Sequence, residues 1–134
     1  MKRLLLVFAL SFLAFLCPNR ADSRIIYVPD DVETIQGGID DARQGDTVLV
    51  DPGTWEENIV IGNIPITVAS LFLTTGDLAY VDSTVIQSRF DNQSVVRFED
   101  VADTVRNRSK LIGFTITGGR ADYGGGIYIS YSDP

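Results

Sequence analysis

Thr34-Ile35-Gln36-Gly37-Gly38-Ile39-Asp40-Asp41-Ala42-Arg43-Gln44-Gly45-Asp46-Thr47-Val48-Leu49-Val50-Asp51-Pro52-Gly53-Thr54-Trp55-Glu56-Glu57-Asn58-Ile59-Val60-Ile61 is the stretch that decides the fold. Ile35, Ile39 and Ala42 recur at i, i+4 and i+7, so an amphipathic helix is expected over about 34–43. Glu33, Asp40, Asp41, Arg43 and Gln44 are left for its wet side, and Gly45 is the expected stop. Asp46 then turns the chain into Thr47-Val48-Leu49-Val50, a β-branched run closed by the turn signal Asp51-Pro52-Gly53. A helix this short, with Gly37 and Gly38 inside it, does not stand alone in water. It must dock on the strands that follow.

Working outward, short strands are expected at Ile59-Val60-Ile61, 64–69, 84–86, 95–98, 111–116 and 127–129. Thr54-Trp55-Glu56-Glu57-Asn58 reads as a polar corner around one large aromatic, whose indole N–H needs a partner. Ser70 to Ser83 reads as an insertion, with Thr74-Thr75-Gly76-Asp77 as its loop signal. Many strands of three to six residues without a second helix exclude a βαβ fold. An antiparallel sandwich or a parallel solenoid remains. Asn-Gly hairpin turns are scarce and the strand triplets recur with one long loop per cycle, which favours the solenoid. Phe114 with Ile116, and Ile127 with Ile129, would then face inward.

Residues 1–23 stand apart from the fold. A basic head, Met1-Lys2-Arg3, leads an apolar run from Leu4 to Leu16 broken only by Ser11, and Ala21-Asp22-Ser23 offers a small–x–small cleavage site. This is the layout of a secretory signal peptide. The run falls short of the roughly 20 apolar residues that span a bilayer. No membrane span is expected after cleavage, and the protein is expected to be secreted or on the cell surface. Cys17 sits where a bacterial lipoprotein carries its lipid, but Leu16 precedes it where a small residue is the rule, which argues against lipidation.

Removing 1–23 takes basic residues from 11 to 8 and acidic ones from 18 to 17, a net charge of −9. An acidic chain argues against nucleic acid and other polyanions as direct partners. Histidine is absent and the single cysteine lies in the leader. Disulfides, thiol nucleophiles and imidazole bases are thereby excluded from the mature chain.

The quoted stretch resembles the N-terminal segment of right-handed parallel β-helix proteins of the pectin-lyase-like superfamily. There a pattern close to T-I-Q-x-A-I-x-x-A-x-x-G-D-T-V-x-V-x-P-G-T-Y-x-E-N-I caps the solenoid, and Ile112-Gly113-Phe114-Thr115-Ile116-Thr117-Gly118-Gly119-Arg120-Ala121-Asp122-Tyr123-Gly124-Gly125-Gly126-Ile127-Tyr128-Ile129-Ser130 resembles a later repeat. The resemblance implies an all-β, right-handed parallel β-helix over 24–134, with three to four coils and a capping helix. Gly37 and Gly38 stand where alanine is usual, and Trp55 where tyrosine is usual. Alanine would strengthen the helix by up to ~1 kcal/mol at each glycine. Tyr131-Ser132-Asp133-Pro134 looks like mid-repeat, so further coils or a stacking partner are expected at the C-terminal edge.

The family includes polysaccharide lyases and hydrolases. Paired carboxylates are what hydrolysis requires, and a calcium-bound uronate beside an Arg or Lys base is what the lyases use. Asp100 and Asp103 near Arg106 and Arg108 are the nearest approach, and a solvated loop explains them better. Asp122 stands alone between Arg120 and Tyr123. Gly124-Gly125-Gly126 lacks the Lys-Ser/Thr and helix of a phosphate loop and reads as a tight turn. No catalytic, cofactor or metal residue is assigned. Calcium is the ion this composition favours, because only oxygen ligands are available, yet no stretch carries the spacing of a calcium loop. Asn92-Gln93-Ser94 and Asn107-Arg108-Ser109 match the glycosylation acceptor of eukaryotic hosts.

Tyr123, Tyr128 and Tyr131 gather near the C-terminus and are the candidates for stacking on a sugar ring. The expected function is a non-catalytic structural or binding module, with a polysaccharide or cell-surface component as partner. The alternative is the N-terminal part of a polysaccharide lyase or glycoside hydrolase whose active site lies in later coils.

Overall fold

The structure, a computed structural model, describes residues 22–99 and 109–130. Nearly all of the leader, Cys17, the loop holding Asp100, Asp103, Arg106 and Arg108, and Tyr131 lie outside the described residues. Ten strands and three helices follow in chain order: β1 (Ile25–Val28), α1 (Ile35–Asp41), β2 (Thr47–Val50), β3 (Gly53–Glu56), β4 (Ile59–Ile61), β5 (Thr67–Ser70), α2 (Phe72–Thr75), α3 (Ala79–Ser83), β6 (Thr84–Gln87), β7 (Val96–Phe98), β8 (Lys110–Ile112), β9 (Thr115–Thr117) and β10 (Ile127–Ile129).

The strands form three small sheets, ordered β1-β2-β5-β8, β10-β7-β4 and β3-β6-β9, and every pairing is parallel. Parallel register stacks like residues into columns. Ile26, Val48, Val68 and Leu111 make one, and Ile59, Val96 and Ile127 make another. The core lies between the sheets and is almost wholly β-branched, with Val28, Ile35, Val48, Val50, Ile59, Ile61, Val68, Ile86, Val95 and Val96 essentially sealed from solvent.

The expected all-β, right-handed parallel β-helix of three to four coils is overturned. The described residues are mixed α/β, 16% helical and 35% strand, with three helices and three separate small sheets in place of a uniform all-β coil. The reason is local. Phe72 to Ser83, read as a loop-bearing insertion, folds as α2 and α3, and the loop signal is the joint between them. Gly76 closes α2 in the left-handed region at φ 70° and donates to Phe72 O, while the Asp77 carboxylate accepts the Ala79 N–H.

Three strand readings change as well. Ile25–Val28 is a strand that joins β2. Gly53–Glu56, read as a turn and a corner, is a strand that pairs with β6. The run 111–116 is two strands, because Gly113 at φ +79° breaks it, and a Cβ there would meet Ser70 Oγ at 2.5 Å. The Trp55 indole finds its acceptor in Asp51 O at 3.1 Å.

Helix α1 forms where its periodicity places it, with Thr34 Oγ1 accepting the Gly37 N–H. Its other cap comes from 22 residues downstream. The Glu57 carboxylate accepts the N–H groups of Ile35 at 2.9 Å and Gln36 at 3.0 Å, putting negative charge on the positive end of the helix. The Gln36 side-chain amide then lies along β4 like a strand of one residue, accepting Val60 N–H at 2.7 Å and donating to Val60 O at 3.2 Å. Gly38 is required by space, since a Cβ would sit 2.8 Å from Val48 Cγ1. Alanine at 38 would therefore gain helix propensity and lose the dock.

Asp46 ties this end together. It is buried and accepts the backbone N–H groups of Arg24 and Arg43, and it pairs with Arg24 Nε at 2.9 Å. Burial pushes its carboxyl up, but the hydrogen bonds and the Arg24 charge outweigh that and hold it below the ordinary carboxylate value.

Candidate functional site

Turn-forming residues build the walls of an open cleft that carries aromatic side chains and charge together. Asn58 organises the first wall. Its amide nitrogen donates to Ser88 Oγ and Ser94 O at 2.9 Å each, and its oxygen accepts the N–H groups of Arg89 at 2.8 Å and Phe90 at 3.1 Å. One side chain thus fixes both limbs of the 88–94 turn, while Asn92 takes a left-handed φ of 65°.

The second wall is the glycine-rich loop of 118–126. Val95 and Val96 donate their N–H groups to Gly125 O and Gly126 O. Gly119 and Gly125 pass so closely that a Cβ on Gly119 would lie 1.8 Å from Gly125 O. The loop therefore doubles back on itself and carries Ala121, Asp122 and Tyr123 to face the turn. The glycines serve backbone approach, as read from the sequence.

Strands β7 and β10 make the floor. Arg97 and Tyr128 are direct register partners, so their side chains lie about 5 Å apart across the sheet. Asn92, Gln93, Ser94, Arg97, Ala121, Asp122, Tyr123 and Tyr128 line a cleft of about 300 Å³. Tyr123 is 79% exposed and Tyr128 36%. The Arg97 guanidinium pairs with the Glu99 carboxylate, and both remain partly exposed.

The structure brings Tyr123 and Tyr128 together in this cleft, while Tyr131 lies outside the described residues. Asp122 joins them. Arg97, Asn92 and Gln93 are additions that the sequence reading does not assign to a site, since only parallel register sets Arg97 beside Tyr128. Among the described residues, no group of three or more His, Cys, Asp or Glu side chains is arranged to hold a metal. No described helix is long and apolar enough to cross a membrane.

The fold and cleft together define a small mixed α/β domain with a polar, tyrosine-bearing groove on one parallel sheet. Comparison with protein-family models, curated proteins and solved structures finds no match. None of the three identifies the pectin-lyase-like superfamily.

Proposed function

We propose that this protein is a non-catalytic binding module that takes a carbohydrate in the cleft between the 88–94 turn and the 118–126 loop. The observation that carries the reading is the convergence of Tyr123 and Tyr128 with Asn92, Gln93, Arg97 and Asp122 on one groove. A tyrosine ring offers an apolar face to the C–H surface of a sugar and a hydroxyl at its tip. The amides, guanidinium and carboxylate supply the donors and acceptors that ring hydroxyls need.

The lining holds one carboxylate, Asp122, whereas glycoside hydrolysis uses two at a set separation. That supports binding over cleavage. The basic-then-apolar leader supports a place outside the cell, where polysaccharides are the abundant partners.

The test is titration of the purified protein with neutral, amino and uronate polysaccharides, followed by tyrosine fluorescence and calorimetry. One class should bind saturably, and Tyr123→Ala and Tyr128→Ala should each weaken it about fivefold or more. The reading fails if no class binds, or if both variants bind as well as the parent.

A further inference from the structure

Asp46 is only 3% exposed, and its carboxylate grips the chain at the point where the leader gives way to the fold. It accepts the Arg24 backbone N–H at 3.0 Å, the Arg24 Nε–H at 2.9 Å and the Arg43 N–H at 2.9 Å. The Arg24 carbonyl accepts the Thr47 N–H at 3.0 Å, and the next residue opens β1. On the other side of the Ser23–Arg24 peptide the hold ends. Asp22 and Ser23 are exposed, lie outside any strand or helix, and have no hydrogen-bond partner. Among the described residues, the Arg24 nitrogen is thus the first backbone group that the fold secures.

The same nitrogen is where the sequence places a cut. Ala21 and Ser23 are the small residues at the third and first positions before the Ser23–Arg24 bond, the pattern read at leader removal. Hydrolysis there consumes one water. The Ser23 carbonyl leaves with the leader as a carboxylate, and the Arg24 nitrogen is left as an α-ammonium facing Asp46 Oδ1.

We infer that the leader is cut between Ser23 and Arg24, and that the α-ammonium so freed becomes an ion-pair partner of Asp46. A charge-assisted hydrogen bond then replaces a neutral one, at about twice its strength. The charges around the new terminus suit a cation. Asp46 and Asp41 both face Arg24, whose own guanidinium pairs with each of them, so two carboxylates share one positive group. Arg43 gives Asp46 its backbone N–H, and its side chain is exposed. A cut one residue later would delete Arg24, and a cut one residue earlier would leave a Ser23 amine that nothing holds. An α-amino group ordinarily titrates at about 7.7–8.0, and a carboxylate within hydrogen-bond reach raises that value. The stability gained from the ammonium is therefore full below about 8 and is lost as pH rises through the higher folded-state value.

Secretion of the full 134-residue chain from a bacterial host, followed by N-terminal sequencing, is the first test. The mature protein should begin at Arg24. A variant with one alanine inserted between Ser23 and Arg24 keeps the Arg24 N–H as a peptide and moves the ammonium one residue away. In urea at pH 7 the folding equilibrium constant of the parent should exceed that of the variant about fivefold, and the gap should close in alkali. The α-amine of the parent, followed by acylation over a pH series, should titrate about one unit or more above the ordinary range. A retained leader, another first residue, an α-amine in the ordinary range, or a variant as stable as the parent overturns the inference. If the variant is cut elsewhere or does not fold, the titration of the parent's α-amine decides.

Discussion

The two ends of the sheets face the same problem and meet it differently. Where the sheets begin, edge groups are met by borrowed side chains: Gln36 for β4, Asp31 for β1, and Glu57 for the bare N–H groups of α1. Where they end, Ile127 and Ile129 stand half exposed in columns whose earlier members are sealed. The difference teaches that closure here is made by hydrogen bonding as much as by apolar cover. A helix of seven residues suffices because the residues that fix it lie far along the chain.

The sharpest way to break this comparison is to truncate one column at both ends. Ile59→Ala should cost about 2–5 kcal/mol in urea unfolding, as a sealed isoleucine does. Ile127→Ala, in the same column, should cost about 1 kcal/mol or less in dilute solution. Equal losses would show that the last strands are as well covered as the first.

Removing Asp46 should come next. Asp46→Ala deletes the carboxylate that accepts two backbone N–H groups and pairs with Arg24, a loss of about 2–3 kcal/mol. Its carboxyl is held below its ordinary value of 3.8. The stability it gives is therefore full above that pH and is lost as pH falls further, through the lower folded-state value. The difference in stability between parent and Asp46→Ala should be constant from neutral pH down to about 4 and shrink below it. A gap that widens in acid would contradict the assignment. A smaller loss than that of Asp46 is expected from Glu57→Ala, which uncaps α1 and should cost about 1–2 kcal/mol. Its signature is faster hydrogen exchange at Ile35 and Gln36, with the 127–129 amides unmoved.

What was legible in the sequence was what is local. Helix α1 and strands β2, β4, β6 and β10 fall where periodicity and β-branching put them. Helices α2 and α3 were hidden because each has only four or five residues, too few for a period to show. The all-β class failed on that segment. Trp55 sits in a strand because β6 pairs beside it, a fact no neighbouring residue encodes. The same holds for the cleft. Tyr123 and Tyr128 are near in sequence and were read together, whereas Arg97 joins them only through parallel register. Gly38 was read as a weakness of the helix, and its need appears only once Val48 is packed against it.

All seven strand pairings among the described residues are parallel, and only β1 with β2 joins consecutive strands, across helix α1. A hairpin can zip from its turn, but among the described residues no turn brings two paired strands together. Each sheet forms only after a long loop has closed, and that entropy is spent before any ladder bond repays it. Folding of this small domain is therefore governed by loop closure. The distant reach of Glu57 and Gln36, described above as a cap, is also a first clasp by which such a chain can start.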